Sequence, residues 1–82
     1  MQWWKRPVTV ETKEVGQRMD IESTEAATDY LLSHWPRDPG GNAFDAAKAV
    51  LLEAFDGRRP PSEARQAFVA ALREANIAVF ED

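Results

Sequence analysis

At 82 residues and 9.2 kDa the chain has room for one small domain, residues 1–82, and 44% apolar with 29% charged residues is a globular rather than a disordered composition. Ten Lys and Arg against fourteen Asp and Glu leave a formal charge of −4 and a pI near 4.9, which disfavours a broadly basic surface for nucleic acid or membrane. Cysteine is absent, which excludes disulfides, thiolate zinc sites, iron–sulfur clusters and cysteine nucleophiles together and leaves self-association as a source of extra burial.

The opening Met1-Gln2-Trp3-Trp4-Lys5-Arg6-Pro7 places its charges after its aromatics and lacks the apolar stretch of a signal peptide. No apolar run approaches the ~20 residues needed to span a bilayer, so the expectation is a cytoplasmic protein. From Trp4 to Val10 the side chains alternate, with Trp4, Val8 and Val10 on the core side and Trp3, Pro7, Thr9 and Glu11 on the other. A second alternation, Arg18 to Glu22, follows a polar connection through Lys13, Glu14 and Gly16, and the pair reads as a β-hairpin. Val15 is the open point, since the first strand could run on through it. Met19 and Ile21 share a parity and read as core.

Ser23 or Thr24 caps a helix with Glu25 in its first turn, where a carboxylate suits the positive end of the dipole. Ala27, Leu31 and Trp35 form its apolar face with Leu32 beside them, and Pro36 stops it. After the loop 37–41, Asn42 stands as the N-cap of a second helix whose buried face is Ala47, Val50, Leu51, Ala54 and Phe55 and whose end is marked by Gly57. Following Arg58-Arg59-Pro60-Pro61, a third helix opens at Pro61 or Ser62 and carries the stripe Ala64, Ala67, Phe68, Ala71, Leu72 and Ala75. Ile77 to Phe80 is too apolar to stay in water and either packs on the core or adds a strand. The fold class is therefore α+β: an N-terminal β-hairpin, three α-helices and, as one of two alternatives, a short C-terminal strand.

The ordered set Trp4-x-x-Pro7-Val8-x-Val10, Ala26-Ala27, Leu31-Leu32, Trp35-Pro36, Ala47, Ala54-Phe55-Asp56-Gly57, Ala64-Arg65-x-x-Phe68 and Glu74-Ala75 resembles the family known as domain of unknown function 982. The resemblance implies a small bacterial αβ protein and carries over no activity. Many members have a cysteine at the position of Leu51, so a thiol role does not transfer to this chain.

No constellation for catalysis stands out. The only histidine, His34, sits at a predicted helix end, where it interacts with the dipole, and the chain has neither an EF-hand spacing nor a His-x-x-x-His pair. No catalytic residue, metal site or cofactor is expected, and an enzyme would need a partner chain to complete its site. Gly40-Gly41-Asn42 lacks the spacing of a phosphate loop and reads as a connection.

The strongest functional signals are cationic and aromatic. Arg58, Arg59, Arg65 and Arg73 outnumber Glu63 over residues 58–73 in an otherwise acidic chain. Trp3 is driven outward by the parity that buries Trp4, and it adjoins Lys5 and Arg6. Trp3, Lys5, Arg6, Arg58, Arg59 and Arg65 are therefore the expected partner contacts of a non-enzymatic protein-interaction or self-association module, with a homodimer as one form of it. The alternative is a nucleic-acid-binding regulator using Arg58, Arg59 and Arg65. In that reading the last two helices mimic a helix-turn-helix, with Ser62, Arg65, Gln66 and Val69 facing a groove.

Overall fold

The computed structural model describes residues 2–12, 16–36 and 38–81. Strand β1 (Trp3–Glu11) is followed by β2 (Arg18–Ser23), helices α1 (Thr24–Ser33), α2 (Asn42–Phe55) and α3 (Pro61–Glu74), and strand β3 (Val79–Glu81). The terminal segment does both things the sequence left open: Ile77 is buried in the core, and β3 pairs antiparallel with β1 on the side away from β2, giving the order β2-β1-β3. Lys13, Glu14 and Val15 lie outside the described residues, as does Arg37.

Alternation places Trp4, Val8 and Val10 of β1 and Ile21 of β2 on one face of the sheet, all buried. Onto them pack Tyr30 and Leu31 from α1 and Phe68 and Leu72 from α3, and Phe44 and Leu51 of α2 extend the cluster behind those two helices. Full burial of such side chains contributes about 1.5–3 kcal/mol each, which makes this cluster the main stabilising element. Its aromatics meet at an angle: Tyr30 lies edge-on to both Phe68 and Trp35, with centroids 5.8 Å apart in each case. The opposite face of the sheet is polar, with the Thr9 hydroxyl donating to Asp20 Oδ1 at 2.7 Å and the Arg18 guanidinium 4.0 Å above the Phe80 ring.

Capping explains where the helices begin. The Ser23 hydroxyl accepts from the Ala26 N–H at 3.1 Å, settling the choice between Ser23 and Thr24. Thr24 is instead buried and accepts from the Trp4 indole N–H at 3.2 Å. Helix α3 opens with Pro61 at its first position, where a missing N–H costs nothing. At α2 the expectation fails, because Asn42 is the first helical residue, Gly41 is the cap, and no side chain at the cap closes the helix. The carboxylate of Glu74, at the end of α3, takes that role across the fold, accepting from Ala43 N–H with both oxygens at 3.1 Å and from Phe44 N–H at 3.3 Å. A helix N-terminus favours an anion, and the chain supplies its own.

Three packing expectations are corrected. Phe55 and Leu32 are 54% and 62% exposed, because the core-facing stripe of α2 is Phe44, Ala47, Leu51 and Ala54, and α1 turns Tyr30 and Leu31 inward instead. Val69, assigned to an outer groove-facing side of α3, is buried. Leu51 is fully buried, so its position in α2 is a packing position.

Candidate functional site

Between the first half of β1 and the first turn of α3 lies a groove of about 530 Å³, lined by Trp3, Trp4, Lys5, Arg6, Pro61, Ser62 and Arg65. The hairpin places one wall. Gln2 anchors the start of β1, its main-chain N–H donating to Glu25 Oε1 at 2.9 Å, its carbonyl accepting from Thr24 N–H at 3.0 Å and its side-chain amide donating to the Ala54 carbonyl. Trp4 turns inward against Phe68, with ring centroids 5.8 Å apart, and Trp3 is thereby directed outward, 65% exposed. The exposed indole is thus held by a tethered backbone.

Helix α3 builds the other wall. Pro60 and Pro61 turn the chain into the helix, and one turn on, Arg65 donates from Nε to the Arg6 carbonyl at 3.1 Å, joining the two walls and fixing where its guanidinium sits. Among the described residues, three cationic side chains and two indoles line the groove, within a chain whose net charge is −4. Such a lining suits an anionic ligand with some apolar surface, since local charge attracts carboxylates while indole supplies area with little conformational cost.

Four of the six residues singled out from sequence, Trp3, Lys5, Arg6 and Arg65, are thus brought together across 59 positions of chain. Arg58 and Arg59 are not among the lining residues. Arg58 pairs with Asp56 at 3.5 Å, and Arg59 pairs with Glu53 at 3.1 Å and Glu63 at 3.3 Å. The hydrogen bond to Glu53, and then its charge, push the already high pKa of Arg59 higher. Of the groove's remaining wall residues, sequence reasoning read Pro61 only as a helix start and Trp4 only as core, and it placed Ser62 on an outward face only in the helix-turn-helix alternative. A proline pair ahead of an arginine at the second turn was the available signal.

His34 is the C-cap of α1, its Nε2 3.3 Å from Asp29 Oδ2, and both side chains are exposed. Among the described residues no three His, Asp or Glu side chains cluster as metal ligands, and no helix is long and apolar enough to cross a membrane.

A family model described as a protein of unknown function, DUF982, matches residues 6–79. The chain belongs to the DUF982 family. No curated protein and no solved structure matches it. The family match begins at Arg6, so the groove combines Arg6, Pro61, Ser62 and Arg65 from within the matched segment with Trp3, Trp4 and Lys5 just ahead of it.

Proposed function

We propose that this DUF982 protein is a non-enzymatic interaction module that binds an acidic segment of a partner protein in the groove between β1 and α3. The observation that carries the reading is an exposed tryptophan held beside Lys5, Arg6 and Arg65 in one groove. Aromatic and arginine side chains dominate the binding energy of protein interfaces, and a peptide carrying a few carboxylates needs only a local positive field. Duplex or single-stranded nucleic acid draws most of its affinity from a run of phosphates, which a protein of net charge −4 with Arg58 and Arg59 facing carboxylates is less suited to meet.

The test is selection from a displayed random-peptide library against the immobilised protein. Recovered peptides are expected to be rich in Asp and Glu and to lose binding to Trp3→Ala and Lys5→Glu, both of which alter exposed side chains and leave the core intact. Recovery of no peptides, or of peptides that bind both variants unchanged, overturns the reading. Salt-dependent retention of random single-stranded DNA or RNA, lost when Arg58, Arg59 and Arg65 are changed together, would replace it with nucleic-acid recognition. A dimer in sedimentation that Trp3→Ala converts to monomer would make the occupant a second copy of the chain.

A further inference from the structure

We infer that two copies of this chain associate through the joint outer face of α1 and α2, independently of the groove between β1 and α3. The two helices run in opposite directions. Gln2 ties one pair of ends, donating from its main chain to Glu25 in the first turn of α1 and from its side chain to the Ala54 carbonyl in the last turn of α2. At the other end Trp35, just past α1, lies edge-on to Phe44 in the first turn of α2, with centroids 5.1 Å apart. Leu31 and Leu51 turn to the core, and amphipathic patterning makes the outer side of such a pair polar. Here it is not: Leu32, Leu52 and Phe55 are all more than half exposed. Leu32 and Leu52 share one cleft with Thr28 and Lys48, and Phe55 follows Leu52 at i+3 on the same side. The cleft holds only about 20 Å³, far below the roughly 300–1,000 Å³ of small-molecule sites, so the face suits a surface as flat as itself.

Charge selects a second copy as the occupant. The apolar strip is bordered by carboxylates on α1, Glu25 and Asp29, and by an ammonium on α2, Lys48. Other carboxylates of the α2 side are matched within the chain: Glu53 pairs with Arg59 and Asp56 with Arg58, while Asp45 sits in the first turn, where the helix dipole favours it. The shared cleft puts Lys48 level with residues 28–32 of α1. A two-fold axis along the cleft therefore lays α1 of one copy over α2 of the other, brings each Lys48 to the partner copy's acidic border, and closes the leucines at the centre. A face that carries its own complement is what an isologous contact requires. The exposed parts of Leu32, Leu52 and Phe55 amount to roughly 300–400 Å² of apolar surface per copy, about half of what each side of a standard interface buries, and the polar border makes up the rest. Such an interface lies at the small end of the range, so the dimer forms at roughly tens of micromolar. For an 82-residue chain without cysteine, association is also a direct way to add burial.

The experiment is sedimentation equilibrium of the whole chain from about 1 to 500 µM, a range that brackets the expected dissociation constant. The mass is expected to rise from 9.2 kDa toward twice that value. Leu52→Glu should stay monomeric throughout, and Lys48→Glu should weaken the dimer about five- to tenfold. Adding Asp29→Lys to Lys48→Glu should restore most of that loss, because the reversed pair again attracts across the interface. Trp3→Ala should leave the dimer unchanged, which separates this face from the groove. All four substituted positions are exposed, so native circular dichroism is expected; should Leu52→Glu lose it, Leu32→Glu takes its place in the same comparison. A monomer at every concentration, or a dimer that the folded glutamate variant leaves intact, would overturn the inference, and neither result bears on the selection of acidic peptides by the groove.

Discussion

Tyr30 offers the sharpest check on the packing. It is the only tyrosine in the chain, has no exposed surface, and donates its hydroxyl proton to the Glu11 carbonyl at 2.8 Å. Burial, and secondarily the charge of Glu11, push its pKa from 10.0 up to about 12. The folded chain then keeps this proton at a pH where the unfolded chain has lost it. Stability from this site is complete below pH 10, falls as the pH rises through the interval between 10 and 12, and levels off above it. At about 1.4 kcal/mol per pH unit, the interval is worth about 3 kcal/mol. Tyrosinate absorbance reads the ionisation without interference from another tyrosine, and denaturant unfolding at a series of pH values reads the stability. Tyr30→Phe should cost about 1 kcal/mol at neutral pH through the lost hydrogen bond and should flatten the alkaline slope. A tyrosinate midpoint near 10 in protein whose circular dichroism is native, or an equal alkaline slope in Tyr30→Phe, would refute the reasoning.

Glu74→Ala removes the acceptor that closes α2 and should lower stability by about 1–2 kcal/mol in denaturant unfolding, with Glu74→Gln losing less. Gly41→Ala places a methyl group against the Glu74 carboxylate at a backbone φ of +102°, and a loss of about 1–3 kcal/mol is expected from the backbone strain alone. Leu51→Ala opens a cavity in the core and should cost about 2–5 kcal/mol, whereas Phe55→Ala at an exposed position should stay within about 0.5 kcal/mol; equal losses would restore Phe55 to the core. Changing Arg58 and Arg59 together to Ala breaks only exposed ion pairs, so stability should fall by about 1 kcal/mol or less and binding of an acidic peptide should be unchanged.

The alternation of Trp4, Val8 and Val10, the Ser23 cap, the Pro36 stop and the stripe of α3 were all legible because each depends on neighbours a few residues away. Phe55 misled for the same reason. Local periodicity puts Phe44 and Phe55 on nearly the same side of α2, and only the packing at the two ends of the helix buries Phe44, edge-on to Trp35, and leaves Phe55 exposed. Asn42 was a sound cap by residue type, but the competing acceptor arrives from position 74, and no local rule weighs a carboxylate 31 residues away.

The candidate site divides along the same line. The outward direction of Trp3, next to Lys5 and Arg6, follows from strand parity alone, and the surplus of arginine over residues 58–73 follows from counting. Which of those arginines joins Trp3 is decided by α3 running alongside β1, which brings Arg65 to the Arg6 carbonyl and leaves Arg58 and Arg59 to the carboxylates of Asp56, Glu53 and Glu63. Periodicity and capping are short-range properties of the backbone, so the sequence by itself determined the elements and their buried faces to within a few residues. The groove is a relation between two walls whose approach is set by packing of Trp4 on Phe68 and by the order β2-β1-β3, and that relation exists only in the tertiary structure.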